Sequence, residues 1–254
     1  MKRRPIILIT NDDGIDAAGI KHLRRSLATL GRTYVFAPKS EKSGASHSFS
    51  LRTPLEVTWR DRYTVSIDGT PTDCVMLAVR GLMPERPDLV VSGINHGPNL
   101  GDDVTYSGTV AGAIEGTLLG IPSIAVSSAA WSGQRFEAAA AFAARLAAVV
   151  LRKGLPANTL LNVNVPSIDP RRVGCAKITK LGKRIYRDVI VEKKSPDGRK
   201  YFMIDGADPD WEREPDTDFA AIERDCVSIT PFHLDWTNHC AIEGLKKWER
   251  LLKN

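Results

Sequence analysis

The stretch IILITNDDG, residues 6–14, constrains the fold more than any other part of the chain. Ile6, Ile7, Leu8 and Ile9 run straight into Thr10, Asn11, Asp12, Asp13 and Gly14, and Gly19 to Leu30 then carries a helical pattern. This reads as a strand, a turn and a helix. Successive strand residues point to opposite faces, so Asp12 and Asp13 reach one ligand only if the strand ends there and the backbone turns. Gly14 permits that turn. Open α/β sheets keep their ligands at the carboxyl ends of parallel strands, and paired carboxylates there suit a hard divalent cation, Mg²⁺ or Mn²⁺. The competing use of the same residues is structural, with Asp13 or Asp16 capping the helix.

Further strands are expected at Tyr34 to Ala37, Leu89 to Ser92, Ser123 to Val126 and Leu160 to Val165, with helices at Asp73 to Arg80, Thr109 to Leu119 and Phe136 to Leu151. Strands separated by helices predict an α/β fold with a doubly wound, mainly parallel sheet. Phe49 to Trp59 and Tyr63 to Ile67 alternate in β fashion and predict a hairpin. After Pro166 the character changes. Val189 to Glu192 and Tyr201 to Ile204 flank the turn signal Ser195, Pro196, Asp197 and Gly198, as in a projecting hairpin arm. Gly206 to Pro215 reads as an acidic loop, Asp218 to Glu223 as a short helix, Val227 to Thr230 as a strand and Cys240 to Leu252 as a terminal helix. We therefore expect a catalytic core over residues 1–166 and an extension over 167–254 that serves oligomerisation.

Three other segments are expected at the sheet edge that holds the two aspartates. The loop Lys39 to Ser50 is dense in small hydroxyls and glycine, Ser43 and Gly44 among them. The segment after the third site strand, Ser92 to Gly101, offers Asn95, whose carbonyl oxygen suits a metal shell that already carries two charges, or else forms an Asx turn. Ser107, Gly108 and Thr109 open a helix, where free N–H groups make an anion site suited to phosphate, unless the hydroxyls only cap the helix. Thr70, Pro71 and Asp73 read as a structural capping box. His22, His233 and His239 have no partner at ligand spacing; only His96, beside Asn95, is a candidate.

Several classes are set aside. No apolar run approaches the roughly 18 residues of a membrane helix, and the start has too short an apolar run for a signal peptide, so a cytoplasmic protein is expected. Cys74, Cys175, Cys226 and Cys240 are scattered without a C-x-x-C pair, and reduced thiols rather than zinc or disulfides are expected. The net charge of +5 fits a phosphate-bearing small molecule. Dispersed aromatics give no stacking platform, and no specific nucleic-acid partner is expected.

The blocks ILITNDDGIDAAGI, APKSEKSGASHS, DGTPTDCV, VSGINHGPNLGDDVTYSGTVAGAIEG, LNVNVP, KITKLGKR and DTDFAAIERDCVSITPFHLDWT follow one another in this order. Together they resemble the SurE family of stationary-phase survival proteins over nearly the whole chain. The resemblance implies a Rossmann-like fold and a metal-dependent 5′/3′-nucleotidase that hydrolyses nucleoside monophosphates. It implies one divalent metal on Asp12, Asp13, Ser43 and Asn95. Asp12, Asp13 and Asn95 would be catalytic, and Ser43, Gly44, Asn99, Ser107, Gly108 and Thr109 would bind substrate. It also implies homodimers or homotetramers formed through the hairpin arm and C-terminal exchange. Departures are slight: Gly112 stands where alanine would suit the helix better, and a Lys-Arg-Arg-Pro start precedes the first strand. Two other functions share the pocket, a non-catalytic nucleotide-binding stress protein and a phosphatase of non-nucleotide monoesters or short polyphosphate. The proton acceptor stays open between Asp12 and Asp13, and direct attack by Asp12 to give an aspartyl phosphate is the alternative to attack by water.

Overall fold

A computed structural model describes residues 3–130, 132–185, 188–206 and 210–252. The elements in chain order are β1 (Ile6–Thr10), α1 (Ala18–Leu27), β2 (Arg32–Pro38), β3 (Val57–Asp61), β4 (Thr64–Ile67), α2 (Pro71–Leu77), β5 (Leu89–His96), α3 (Gly108–Leu118), β6 (Ser123–Ala129), α4 (Glu137–Lys153) and β7 (Thr159–Pro166). Then follow β8 (Cys175–Ile178), β9 (Arg184–Ile185), β10 (Asp188–Lys194), β11 (Lys200–Gly206), β12 (Asp210–Trp211), α5 (Asp218–Ile222), β13 (Cys226–His233) and α6 (His239–Lys246).

Among the described residues nine strands form one sheet in the order β3-β4-β2-β1-β5-β6-β7-β13-β8. Its centre, β2-β1-β5-β6-β7, is parallel throughout. β1 is buried along its whole length, as a parallel strand covered on both faces must be. Its side chains divide by the two-residue period. Ile7 and Ile9 join a core with Ile20, Leu23 and Leu27 of α1 and Ala139, Ala143 and Ala147 of α4. Ile6 and Leu8 join Phe36, Cys74 and Val75 on the opposite face, beneath α2. The expected capping box is present: Thr70 accepts from Asp73 N, and Asp73 accepts from Thr70 N.

The chain leaves β1 for β2 on one side and reaches β5 on the other. Such a reversal opens a crevice beyond the strands' carboxyl ends, and Asp12 and Asp13 follow β1 directly. In α3, glycine has a packing reason that helix propensity does not reveal. A Cβ on Gly112 would lie 2.8 Å from both Thr10 Cγ2 and Ser92 Oγ, so the helix sits closer to β1 and β5 than an alanine allows.

Four expectations change. The early hairpin is shorter than the alternation suggested, since only Val57–Asp61 pairs with Thr64–Ile67. The region after residue 166 does not all stand apart from the core: β13 pairs antiparallel with β7, and β8 pairs with β13, so both extend the main sheet. The arm is nevertheless a separate two-stranded hairpin of β10 and β11, closed by the Ser195 to Arg199 turn. Of the expected acidic loop, residues 207–209 lie outside the described residues, and Asp210–Trp211 pairs with β9. Finally, Cys175 and Cys226 are not reduced thiols but a disulfide. Neighbouring strands place them opposite each other in register, which spacing along the chain does not show. Cys74 and Cys240 are free.

Candidate active site

The turn after β1 is fixed by backbone bonds. Gly14 adopts φ +98°, Asn11 Nδ2 donates to Gly14 O at 2.8 Å, and Ile15 N donates to Pro38 O at 2.8 Å. Neither acid caps α1. Its N-cap is Ala17, without a side-chain bond, and Asp16 pairs with Arg60 instead. The capping alternative for Asp13 and Asp16 therefore falls away, and Asp12 and Asp13 need another account.

Asp12 is buried and accepts the hydroxyl proton of Thr109. α3 comes this close because residue 108 is glycine: a Cβ there would lie 2.8 Å from the Asp12 Cβ and 3.0 Å from its Oδ2. Ser107 is the N-cap and its side chain accepts from Val110 N at 3.1 Å. The capping role is thus real for Ser107, whereas the Thr109 hydroxyl is committed to Asp12. Ser107, Gly108, Thr109 and Asp12 stand together where the helix N-terminus meets the strand end.

Asp13 lies against His96, with 3.7 Å between Oδ1 and Nδ1. Its Oδ2 is buried and meets no hydrogen-bond donor. Burial, and next the neighbouring Asp12 charge, push the Asp13 carboxyl up to about 7. Burial also raises Asp12, although the Thr109 hydroxyl opposes the rise. Two desolvated carboxyls with an orphaned oxygen are costly in isolation. A cation removes that cost, so the donor set fits one. Burial lowers His96, whose ring lies tilted against that of Phe136 with the centroids 4.9 Å apart.

Asn95 is the penultimate residue of β5, beyond a register shift between Gly93 and Asn95. Its Nδ2 donates to Gly97 O at 2.9 Å, which fixes the amide and leaves Oδ1 as the free acceptor. The loop after β2 is held beside the aspartates by Lys42 N, which donates to Asp12 O at 2.7 Å. Ser43 donates to Glu41 at 2.8 Å, so its lone pairs stay available. Gly44 is exposed, in open space at φ +72°. Among the described residues no three His, Cys, Asp and Glu side chains gather at one point. The candidate shell is two carboxylates completed by neutral oxygens, a set of hard donors.

Asn99 is placed differently from the other candidates. It is buried, its Nδ2 donates to Ser127 Oγ at 2.8 Å, its N–H donates to Asn164 Oδ1 at 2.8 Å, and its carbonyl accepts from Asn162 and Asn164. The side chain is thus engaged in a polar network inside the sheet. Asp218 completes the scaffold by accepting from Gly101 N at 2.8 Å and Gly182 N at 2.7 Å. A cleft of about 630 Å³ runs from Ser46 and Ser107 along Val110 and Ile114 to Phe232. Sequence reading missed the parts played by Asn162, Asn164 and Asp218, because their partners lie on distant strands and loops.

The model of the Survival protein SurE family matches residues 7–188. The chain is 50% identical over 239 residues to a protein of Moorella thermoacetica named 5′-nucleotidase SurE, with 92% of each chain covered. It is 49% identical to a protein of the same name from Geobacter sulfurreducens, over 96% of this chain and 93% of that one. The crystal structure of the SurE protein from Aquifex aeolicus superposes with a TM-score of 0.88 at 42% identity, covering 96% of this chain and 100% of that chain.

Proposed function

The chain belongs to the SurE family, and on that premise we propose that it is a metal-dependent 5′-nucleotidase, a phosphomonoesterase that splits a nucleoside monophosphate into nucleoside and phosphate. The observation that carries the reading is the pairing of buried Asp12 with half-buried Asp13, whose Oδ2 is orphaned, beside the N-terminus of α3. A phosphate pocket alone has no use for two carboxylates, which would repel an anion. With a cation between them and the phosphate, the same acids become useful.

Asp12, Asp13, Ser43 and Asn95 would hold one Mg²⁺ or Mn²⁺. A divalent cation there supplies Lewis acidity toward a phosphoryl oxygen and lowers the pKa of an attacking water. Ser107, Gly108 and Thr109 would border the phosphoryl group at the N-terminus of α3, where the helix dipole favours the charge its oxygens gain in the transition state. Ser43 and Gly44 would border the substrate on the loop side, and the backbone around Asn99 would shape the floor. In the overall step water adds to phosphorus, the P–O ester bond breaks, and the leaving oxygen takes a proton to become the nucleoside hydroxyl.

We also propose assembly through the arm and tail, which expose Ile190, Phe202, Ile204, Trp248, Leu251 and Leu252. Such a concentration of apolar surface suits burial against further copies of the chain. No helix among the described residues is long and apolar enough to cross a membrane, and the cytoplasmic nucleotide pool is the proposed source of substrate. A matrix of metals against nucleoside 5′- and 3′-monophosphates, sugar phosphates and polyphosphate tests the function. Fastest release of phosphate from nucleoside monophosphates with Mn²⁺ or Mg²⁺ is expected. No release from any of them would overturn the nucleotidase reading.

A further inference from the structure

The loop that carries Ser43 and the helix that presents Thr109 are joined by a side-chain pair with no place in the chemistry above. Glu115 lies in the last turn of α3, where its carboxylate caps nothing, and is only 5% exposed. Its Oε2 stands 3.0 Å from Nε2 of His47. Burying a carboxylate inside a helix costs stability unless a partner compensates, and an apolar residue of similar volume is commonly as good or better for the fold. Stability alone therefore does not account for Glu115. Asp73 makes the contrast clear: this buried acid also receives the loop, through Ser50 N at 2.9 Å and Ser50 Oγ at 2.8 Å, but it already serves as the capping residue of α2.

The pair sits at a decisive point along the loop. Lys42 N is bonded to Asp12 O at 2.7 Å and Ser46 N to Tyr106 O at 3.1 Å, and Ser46 Oγ donates to Thr105 O at 2.7 Å. Ser43 and Gly44 are suspended between these anchors. Ser46 itself has φ +53°, a left-handed conformation that a serine keeps only when its surroundings hold it. His47 follows directly and reaches along α3 to Glu115, six residues beyond Thr109, or about 9 Å along the axis.

We infer that His47 and Glu115 form a positioning pair that sets the Ser43–Ser46 loop over the N-terminus of α3, so that the hydroxyl of Ser43 and the helix N–H groups face one cation–phosphate unit. This rests on the proposed metal site. Neither member is among the residues that would hold the metal, and His47 lines the cleft beside Ser46. Its effect is to hold Ser43 in place before the cation arrives, as outer groups do for many metal ligands, whose loss typically weakens metal affinity by about 10- to 100-fold.

The test is Mn²⁺ binding to substrate-free protein by calorimetry, together with amide hydrogen exchange over residues 42–47. His47→Ala and Glu115→Leu are each expected to raise the Mn²⁺ dissociation constant about 10-fold or more and to speed exchange in the loop. The double variant is expected to be no worse than the poorer single variant, since both remove one interaction. His47→Gln and Glu115→Gln, which keep a hydrogen bond between the two positions, should bind close to wild type, and kcat at saturating Mn²⁺ should change far less than the metal requirement. If Glu115→Leu fails to fold, the comparison of His47→Gln with His47→Ala decides. Variants that fold, lack the bond and bind Mn²⁺ as wild type does would overturn the pairing role. So would a change confined to the KM for nucleotide. Asp12→Asn separates the two levels. If wild type shows no Mn²⁺ affinity, or Asp12→Asn loses none, the metal site itself is wrong; loss in Asp12→Asn with unchanged His47→Ala refutes only the pair.

Discussion

Thr109 donates its hydroxyl to the carboxylate of Asp12, tying the first turn of α3 to the end of β1 across 97 residues of sequence. The bond joins the metal side of the site to the phosphate side. A hydrogen bond to a charged group is worth about 1.5–3 kcal/mol, and each 1.4 kcal/mol is about tenfold in an equilibrium or rate. Thr109→Val, which keeps the shape and removes the donor, should lower kcat/KM by about 10- to 100-fold. Steady-state assays with saturating Mn²⁺ check this.

Asp12→Asn should bring metal-dependent phosphate release down to the background without enzyme while the fold persists. The amide keeps the volume and an acceptor for Thr109 but removes one of the two charges that attract the cation. Circular dichroism and the assay, run on the same preparation, separate loss of chemistry from loss of structure.

The raised carboxyl of Asp13 makes metal-free stability depend on pH. Unfolded, an aspartate ionises near its ordinary 3.8; folded, Asp13 holds its proton to about 7. Between these values the folded state binds more protons than the unfolded one, so stability falls as pH rises. The favourable contribution is complete below about pH 4 and lost as pH passes about 7. The Tm of metal-free protein should therefore drop across this window, the drop should be shallower in Asp13→Asn, and added Mn²⁺ should oppose it. A Tm in Asp13→Asn that falls as steeply as in wild type would contradict the assignment.

Gly112→Ala should destabilise the protein, although alanine is the better helix former by about 1 kcal/mol. The new methyl would meet Thr10 and Ser92 at 2.8 Å, and overpacking of this kind costs about 1–3 kcal/mol. Packing outweighs propensity here. Urea denaturation gives the sign directly.

Two thiols, those of Cys74 and Cys240, should react with a thiol reagent in denatured but unreduced protein, and four after reduction. Four before reduction would show that the Cys175–Cys226 bond is absent in solution.

How much of this was legible in the sequence depends on how local the cause is. β1 runs over the residues expected, Ile6–Thr10, because its apolar run, its polar end and Gly14 are contiguous. The box at Thr70 and Asp73 was equally readable, since capping acts over three residues. The meeting of Asp12 and Thr109 at one edge follows from parallel strands sharing a direction, which strand–helix alternation implies. What stayed hidden depends on tertiary neighbours. The resemblance makes Asn99 a substrate residue, but not its tertiary partners: Ser127 accepts from its side-chain amide, and Asn162 and Asn164 donate to its carbonyl. Gly112 looked like a poor helix residue until Thr10 and Ser92 were seen beside it. The disulfide and the His47–Glu115 pair link positions 51 and 68 residues apart, and nothing in the spacing marks them.

The order in which the sheet fills has a consequence for synthesis. Among the described residues β8 is an edge strand whose neighbour is β13, and β13 itself lies between β8 and β7. On the ribosome β7 and β8 therefore emerge with their pairing edges bare, and they stay so for the few seconds that about 50 further residues require. The parallel core, with both aspartates at its rim, can form during that interval, whereas closure of the sheet awaits the last fifth of the chain. A ribosome stalled between residues 178 and 226 would therefore present an open β-edge, the kind of surface that chaperones cover and that partly made chains use to aggregate.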